Sequence, residues 1–246
     1  MNQLTIVIPA YNASMFLNRC VDSIIEAHAL CPTVPHQLII VDDGSTDNTY
    51  TLANNYAIEH DFILAIKQSN LGAGGARNTG IRSAITEYVA FVDSDDFISS
   101  SYFKHITTMH SDLIIFNCIK EDKKGSFNKE VSKINHFPLV CAIVKRQIYS
   151  DYNIYYPEKI NFEDNVIAYA LGNLPLKKVH INKYIYTYTY HVGSQSNNKG
   201  GKKVALDRAE SSVLFYNHLT RLGLIKDNNL YEKNNNEEPI ITVMVV

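Results

Sequence analysis

Four short apolar runs alternate with helical patterns over the first 92 residues. The runs are LTIVI (4–8), QLIIV (37–41), FILAI (62–66) and YVAFV (88–92). Helical spacing of apolar residues begins at Ser14, and further helical patterns cover residues 47–59 and the stretch that runs to about Ile85. Strands that are separated by helices form parallel sheets with helices on both faces. We therefore predict an α/β fold with a Rossmann-like, mostly parallel sheet flanked by helices.

The residues that follow each of these strands are mostly polar. They are Pro9, Ala10, Tyr11 and Asn12 after the first strand, Asp42 and Asp43 after the second, Asn70 to Arg77 after the third, and Asp93 to Asp96 after the fourth. In open α/β sheets, ligands bind in the crevice outside the carboxyl ends of the strands. The sequence therefore predicts a binding site at this edge of the sheet.

The stretch YVAFVDSDD (88–96) ends a buried strand in three carboxylates, those of Asp93, Asp95 and Asp96. Carboxylates this close repel one another, and burial makes each charge costly. One aspartate after a strand is ordinarily a polar loop residue or a helix cap, but three within four residues favour a bound cation. Oxygen ligands suit Mg²⁺ or Mn²⁺, which commonly keep coordination positions open for substrate phosphates.

The stretch GAGGARNTG (72–80) resembles a dinucleotide-binding turn, because it follows a strand and opens a helix. Arg77, however, stands where G-x-G-x-x-G requires its third glycine, and the stretch follows the third strand instead of the first. The pattern therefore speaks against NAD. Two interpretations are open: a phosphate at the helix N-terminus beside Arg77, or a glycine turn in which Arg77 pairs with a nearby aspartate.

The pattern is less regular after Ser99. We predict a helix near residues 100–110, a strand at 112–117, an exposed hairpin or loop at 121–130, a helix at 161–171, a strand at 184–191 and an amphipathic helix at 204–222 that ends at Gly223. Glu163 and Asp164 fall in the first turn of their helix, where the helix dipole favours acidic residues. His191 ends an aromatic strand, a position at which a histidine is more often structural than a ligand.

Composition excludes some classes of function. The 23 Lys and Arg nearly balance the 25 Asp and Glu, which argues against a broad nucleic-acid-binding surface. The four cysteines are scattered and form no C-x-x-C pair, so reduced thiols in the cytoplasm fit best. No signal peptide and no membrane span are expected from the apolar runs.

Taken together, the motifs resemble the inverting family 2 glycosyltransferases of the GT-A fold, in their bacterial polysaccharide-building branch. The resemblance rests on IVIPAYN (6–12), VDDGSTD (41–47), NLGAGGARNTGI (70–81), FVDSDD (91–96), FED (162–164) and YTYHVGSQS (188–196). Each motif alone is weak, but the ordered set is specific and covers about three quarters of the chain. This resemblance implies a donor-binding half at 1–98, an acceptor-side half at 99–200 as a C-terminal extension of the same domain, and a helix and tail at 201–246.

The resemblance also implies a role for each site residue. The nucleotide would contact Pro9, Ala10, Tyr11, Asn12, Asp42, Asp43, Asn70, Arg77, Asp93 and Ser94, with Tyr11 against the base and Asp43 at its edge. Asp93-Ser94-Asp95 matches the family's D-x-D motif, which makes Asp95 the expected metal ligand beside Asp93. Asp164 matches the catalytic carboxylate, with Glu163 next to it. His191 replaces the arginine that many relatives carry, and it is expected to bind metal or diphosphate.

The expected reaction moves a sugar from a nucleotide-diphosphate sugar to an acceptor hydroxyl, with Mn²⁺ or Mg²⁺ as the cofactor. UDP is the commonest donor base in the family, although GDP and TDP stay open. The resemblance implies a glycan or a lipid-linked glycan as acceptor, at the inner face of the membrane with peripheral contact to it. The apolar C-terminal stretch IITVMVV motivates the expectation of a homodimer.

Three other functions compete with this expectation. A nucleotide-sugar-binding protein without activity is one, although the presence of Asp95 and Asp164 disfavours it. A sugar-1-phosphate nucleotidyltransferase is another, but PAYNAS (9–14) stands where that enzyme class carries a glycine-rich loop. Glycoside hydrolysis would use two carboxylates but would leave the nucleotide motifs without a purpose.

Overall fold

The computed structural model describes residues 4–32, 36–105, 110–134, 136–160 and 163–191, together with 213, 214, 216, 217, 219–221 and 223. In these residues the strands are β1 Leu4–Ala10, β2 His36–Asp42, β3 Ile63–Lys67, β4 Tyr88–Phe91, β5 Phe97–Ile98, β6 Leu113–Glu121, β7 Phe127–Glu130, β8 Ala142–Lys145 and β9 Lys178–Tyr188. The helices are α1 Leu17–Ala29, α2 Thr49–Glu59, α3 Gly72–Ser83, α4 Tyr102–His105, α5 Gln147–Asp151 and α6 Glu163–Asn173, and a 3₁₀ turn covers Leu139–Cys141.

The nine strands of the described residues form one sheet in the order β3-β2-β1-β4-β8-β6-β9-β5, with β7 paired to β6 outside this path. β1, β2, β3 and β4 are parallel to one another, and β6 is parallel to β9. β8 is antiparallel to both β4 and β6, and β5 is antiparallel to β9. The predicted α/β architecture with a mostly parallel sheet is confirmed, and the antiparallel strands lie in its second half.

The central strands are apolar along their whole length because helices cover both of their faces. Every residue of β1 is buried, and so is every residue of β4. α1 buries one stripe of side chains, namely Leu17, Cys20, Val21, Ile24 and Ala27. α3 approaches β1 closely at Gly80, where an added Cβ would lie 2.2 Å from Cγ1 of Val7. These contacts fix the strand ends that carry the polar residues.

Most element predictions agree with the structure, with differences at the boundaries. The helix predicted near residues 100–110 is the short α4, and residues 106–109 lie outside the described part. The polar stretch 121–130 is a hairpin that turns at Gly125, whose φ of +77° favours glycine. Gly223, predicted to end a helix, has φ +69° and donates its N–H to the carbonyl of Thr220. The rest of the predicted helix at 204–222 is described only in part, and the stretch IITVMVV lies outside the described residues.

Among the residues that the structure describes, no helix is both long enough and apolar enough to cross a membrane.

Candidate active site

The loops after β1 and β2 are held together by hydrogen bonds at the carboxyl edge of the sheet. Asn12 adopts a positive φ of 49°, donates its backbone N–H to Oγ of Ser45 at 2.9 Å, and accepts the N–H of Thr46 at its Oδ1 at 2.9 Å. Asp47 accepts the N–H groups of Ser14 and Thr49. Burial alone would raise the pKa of Asp47, but these hydrogen bonds outweigh it and lower the pKa to about 2. Asn12 therefore shapes the loops at the rim of the site.

The adjacent residues Asp42 and Asp43 are both buried but have different surroundings. Oδ1 of Asp43 accepts hydrogen bonds from Nε2 of Gln68 at 2.7 Å and from the N–H of Leu71 at 2.8 Å, so it orders the loop that leads into α3. Asp42 is 0% exposed, and within the described residues neither of its carboxylate oxygens has a hydrogen-bond partner. A buried carboxylate without donors is costly.

The other nucleotide candidates lie around these aspartates. Pro9 and Ala10 are buried at the end of β1, whereas the side chain of Tyr11 is 51% exposed. Asn70 is exposed, and its backbone N would be 3.0 Å from a Cβ added at Gly44, whose φ is +76°. The loops after β1, β2 and β3 therefore meet at one edge, with Tyr11 as the accessible aromatic ring.

Arg77 is a buried cation that binds two carboxylates, of which Glu163 is buried and Asp93 is partly exposed. Its Nη2 donates to Oδ1 of Asp93 at 2.8 Å, and its Nη1 donates to Oε1 of Glu163. The rings of Phe91 and Tyr156 lie 5.9 and 5.8 Å from the guanidinium carbon. Burial alone would lower the pKa of Arg77, but the carboxylates outweigh it, Asp93 first and Glu163 next, and the pKa is raised. The sequence left two interpretations open for Arg77, a phosphate at the helix N-terminus or pairing with a nearby aspartate. In the structure Arg77 pairs with Asp93 and Glu163.

Asp164 follows Glu163 in the first turn of α6 and is half-buried. Burial raises the pKa of Asp93 and the pKa of Glu163. The charge of Arg77 opposes this increase in both residues, and the charge of Asp164 adds to it. Asp164 is the residue after Glu163, which Arg77 joins to Asp93, so it lies at the same edge of the sheet. The structure thus brings together the end of β4 and the start of α6, which are some seventy residues apart in the sequence.

Asp95, on the same loop as Asp93, contacts His191. Nε2 of His191 meets Oδ2 of Asp95, and the imidazole packs against the ring of Phe16 with 4.9 Å between centroids. Nη2 of Arg19 donates to the backbone carbonyl of Asp95 at 2.6 Å and to Oγ1 of Thr189 at 2.9 Å. The turn at 93–96 is thereby tied to the segment that follows β9.

Asp96 is a buried structural residue within this turn. Its Oδ2 accepts the hydroxyl hydrogen of Tyr186 at 2.5 Å, and its Oδ1 accepts the N–H of Thr189 at 2.7 Å. Burial, with the charges of Asp93 and Asp95, raises the pKa of Asp96 despite these hydrogen bonds. Ser94 is half-buried between the aspartates. The three carboxylates of VDSDD therefore have three different partners: Arg77, His191 and Tyr186.

The predicted metal ligands are only partly assembled. Asp95 and His191 meet, whereas Asp93 is turned toward Arg77. Across the described residues, no group of three or more His, Cys, Asp or Glu side chains is arranged to hold a metal ion. The carboxylate of Asp95 and the imidazole of His191 are both partly exposed, and a carboxylate oxygen is a ligand that Mn²⁺ and Mg²⁺ take together with phosphate oxygens.

Sequence reasoning missed four residues that shape this site. Arg19, Asn78, Tyr186 and Tyr188 were not singled out. Tyr186 and Tyr188 pack at 5.1 Å between ring centroids, and burial first, with the nearby carboxylates adding, raises the pKa of Tyr188. The alternation of YIYTYTYH indicated that they share one face of a strand, but not what that face would contact.

An α/β sheet of this order, with loops meeting at a carboxylate-rich edge, has the architecture of the GT-A class of proteins. Residues 5–174 match the family described as glycosyl transferase family 2. The chain therefore belongs to glycosyltransferase family 2, and the resemblance drawn from the motifs is confirmed.

Curated relatives of the chain include bacterial glycosyltransferases. Over 232 residues the chain is 28% identical to glycosyltransferase GlyA of Streptococcus pneumoniae. The matched region covers 79% of this chain and 32% of that protein. The chain is 25% identical over 223 residues to GlyG of the same organism, covering 78% of this chain and 72% of the relative. The chain spans about a third of the length of GlyA and of Escherichia coli YibD.

Solved structures share the fold. Staphylococcus aureus TarS, residues 1–349 in complex with UDP-GlcNAc, superposes with a TM-score of 0.69 at 21% identity, over 93% of this chain and 74% of that one. A mannosyltransferase from Pyrobaculum calidifontis, in complex with GDP-Man and Mn²⁺, superposes with a TM-score of 0.57 at 15% identity, over 90% and 73%. These likenesses establish the GT-A fold for this chain.

Proposed function

We propose that this chain is an inverting glycosyltransferase that moves a sugar from a nucleotide-diphosphate sugar to an acceptor hydroxyl in the synthesis of a cell-surface polysaccharide. The single observation that supports this most is that Arg77 binds both Asp93 and Glu163, which brings the start of α6, with Asp164, to the loop after β4. In this proposal Asp164 in α6 acts as the base, and Asp93 and Asp95 on the loop after β4 act on the donor side.

In the proposed reaction, Asp164 accepts the proton of the acceptor hydroxyl while that oxygen attacks the anomeric carbon and inverts it. Asp164 suits this role because it is half-buried and accessible from the edge. Glu163 is less suited, since its carboxylate is 4% exposed and engaged by Arg77. Holding donor and acceptor together supplies the entropic part of the rate enhancement.

We further propose that Asp95 and His191 hold a Mn²⁺ or Mg²⁺ ion. The contact between Oδ2 of Asp95 and Nε2 of His191 supports this role. The Mn²⁺ complex of the Pyrobaculum mannosyltransferase is consistent with it. When bound, such an ion would offset the negative charge of the diphosphate. Asp93 would then act on the donor side through its pairing with Arg77.

We infer a UDP-linked donor whose base lies beside Tyr11, Asp42 and Asp43. The UDP-GlcNAc complex of TarS supports this base, and the exposed ring of Tyr11 at this edge offers a face on which a base can stack. In this proposal residues 1–98 bind the donor and residues 99–200 face the acceptor, a glycan or a lipid-linked glycan. The same proposal places the protein in the cytoplasm at the inner membrane face, with a homodimer as its assembly.

Calorimetric titration of UDP, GDP and TDP, each with and without Mn²⁺, tests the donor site in the wild type and in Asp95→Ala. The expected result is manganese-dependent binding of UDP that is lost in Asp95→Ala. A transfer assay with UDP-sugars then compares the wild type with Asp164→Asn, which should bind nucleotide but lose about 10²–10⁴-fold in transfer rate. Absence of binding by all three nucleotides would overturn the proposed function.

A further inference from the structure

Glu163 is buried and ion-paired with Arg77, whereas its neighbour Asp164 is half-buried. Glu163 is 4% exposed, and its carboxylate accepts from Nη1 of Arg77, an ion pair that is itself buried. The other terminal nitrogen of the same guanidinium binds Asp93. The guanidinium thus joins the first residue of α6 to the loop after β4, on which the proposed metal ligand Asp95 also lies.

The segment that precedes α6, residues 154–160, is hydrogen-bonded to α3, the helix that carries Arg77, and to the residue before that helix. The side-chain amide of Asn78 donates to the carbonyl of Tyr156 at 2.9 Å and accepts the N–H of Tyr156 at 2.9 Å. The N–H of Lys159 donates to the carbonyl of Leu71 at 2.8 Å. This segment is therefore hydrogen-bonded at two points, to Asn78 within α3 and to Leu71 just before it.

Gly74 permits this close approach. A Cβ at Gly74 would lie 2.1 Å from the carbonyl oxygen of Pro157 and 3.2 Å from Cγ of Glu163. Every residue other than glycine at this position would displace the segment or the Glu163 side chain. In the sequence, the glycine-rich start of α3 resembled a nucleotide-binding turn. In the structure, Gly74 leaves room for the segment 154–160 that leads into α6.

We propose that Glu163 is a positioning residue, which acts through Arg77 to hold the start of α6 so that Asp164 faces the donor bound beside Asp93. This inference rests on the proposed function. A carboxylate that is buried and bound to an arginine is not accessible to an acceptor hydroxyl, whereas an ion pair between two elements fixes their relative position. Glu163 thereby has a role distinct from the base beside it.

Four variants test this role: Glu163→Gln, Glu163→Ala, Asp164→Asn and, as a matched control, Glu158→Gln, which changes an exposed carboxylate of the same segment. The amide oxygen of Glu163→Gln can still accept the hydrogen bond from Arg77, but an amide cannot act as a base. We expect kcat to fall about tenfold in Glu163→Gln and about a hundredfold in Glu163→Ala, with little change in the KM of the donor. Glu158→Gln should match the wild type. Loss in Glu163→Gln as complete as in Asp164→Asn would overturn the proposal.

Hydrogen exchange supplies a readout that is independent of activity. Amides of the first turn of α6 and of residues 154–160 should exchange faster in Glu163→Ala than in the wild type, and Glu163→Gln should restore most of the protection. Unchanged exchange in Glu163→Ala would overturn the positioning role even if no transfer is observed. Failure of the proposed function would appear separately, as a wild type that neither binds nucleotide nor transfers sugar.

Discussion

Tyr186 and Asp96, ninety residues apart, form a buried hydrogen bond at 2.5 Å that joins strand β9 to the turn after β4. The hydroxyl oxygen of Tyr186 also accepts the backbone N–H of Asp93 at 3.2 Å. One phenol therefore binds both ends of the four-residue turn that displays Asp95. Strand β9 therefore supplies a hydrogen-bond partner for each end of this turn.

Removing this hydroxyl should loosen the turn. Tyr186→Phe leaves the Asp93 N–H without its acceptor and Asp96 with only the Thr189 N–H, so the free energy of unfolding should fall by about 1–3 kcal/mol. Urea denaturation measures this change. Tyr184→Phe is the matched control, since it removes a hydroxyl from the same strand outside the site, and its stability should equal that of the wild type. Equal stability of the two variants would contradict the structural role of Tyr186.

His191 should contribute to metal-dependent nucleotide binding. His191→Gln removes the imidazole that meets Asp95, and the affinity for UDP in the presence of Mn²⁺ should fall at least about tenfold, with little change in its absence. Calorimetry measures both affinities. The exposed His110 supplies the control His110→Gln, for which no change is expected. Equal losses with and without the metal would assign His191 to the diphosphate instead.

Asn78 should be a major determinant of stability. Asn78→Ala leaves the buried N–H and carbonyl of Tyr156 without partners, and the free energy of unfolding should fall by about 2–3 kcal/mol. Asn55→Ala, on the exposed face of α2, should change it by less than about 0.5 kcal/mol. Chemical denaturation compares the two. A loss in Asn78→Ala no larger than that in the control would disprove the two-point attachment of the segment.

His36 should make stability depend on pH. Burial first, and the neighbouring His28 second, lower the pKa of His36 to about 4, and its ring stacks on Phe103 at 3.8 Å. As the pH falls from about 6.5 to 4, the unfolded chain binds a proton that the folded chain excludes, so stability falls over this window. Its contribution should be about 1–2 kcal/mol after allowance for partial exposure.

The difference between the wild type and His36→Phe isolates this effect from that of the carboxylates. Their free energies of unfolding should differ by a constant above pH 7, and the wild type should lose stability relative to the variant toward pH 4. Urea denaturation at successive pH values measures the difference. A difference that does not vary with pH would show that His36 protonates equally well in the folded chain.

Several features of the site could be predicted because they follow from local patterns. The runs LTIVI, QLIIV and YVAFV are apolar and separated by helical spacing, so parallel strands follow, and their polar ends must share an edge. A helix end at Gly223 and an exposed hairpin or loop at 121–130 could likewise be predicted from the residue types that favour helix ends and turns.

The roles of individual carboxylates could not be separated in the same way. Asp93, Asp95 and Asp96 are equivalent in the sequence, yet one pairs with Arg77, one with His191 and one with Tyr186. Likewise, the sequence favoured Asp43 for the nucleotide, while the structure leaves Asp42 as the carboxylate without a partner in its described part. Neighbours that come from 16 to 96 residues away decide these differences.

The sequence alone determined the fold class, the family and the edge of the sheet where the site lies, because strand periodicity and motif order are local properties of the chain. Only the tertiary structure decided that Arg77 binds Asp93 and Glu163, and that Gly74 makes room for the segment leading to α6. The physical reason is that ion pairing and close packing depend on distances between elements. Those distances are set by how α3, β4, β9 and α6 pack together, not by any one of them.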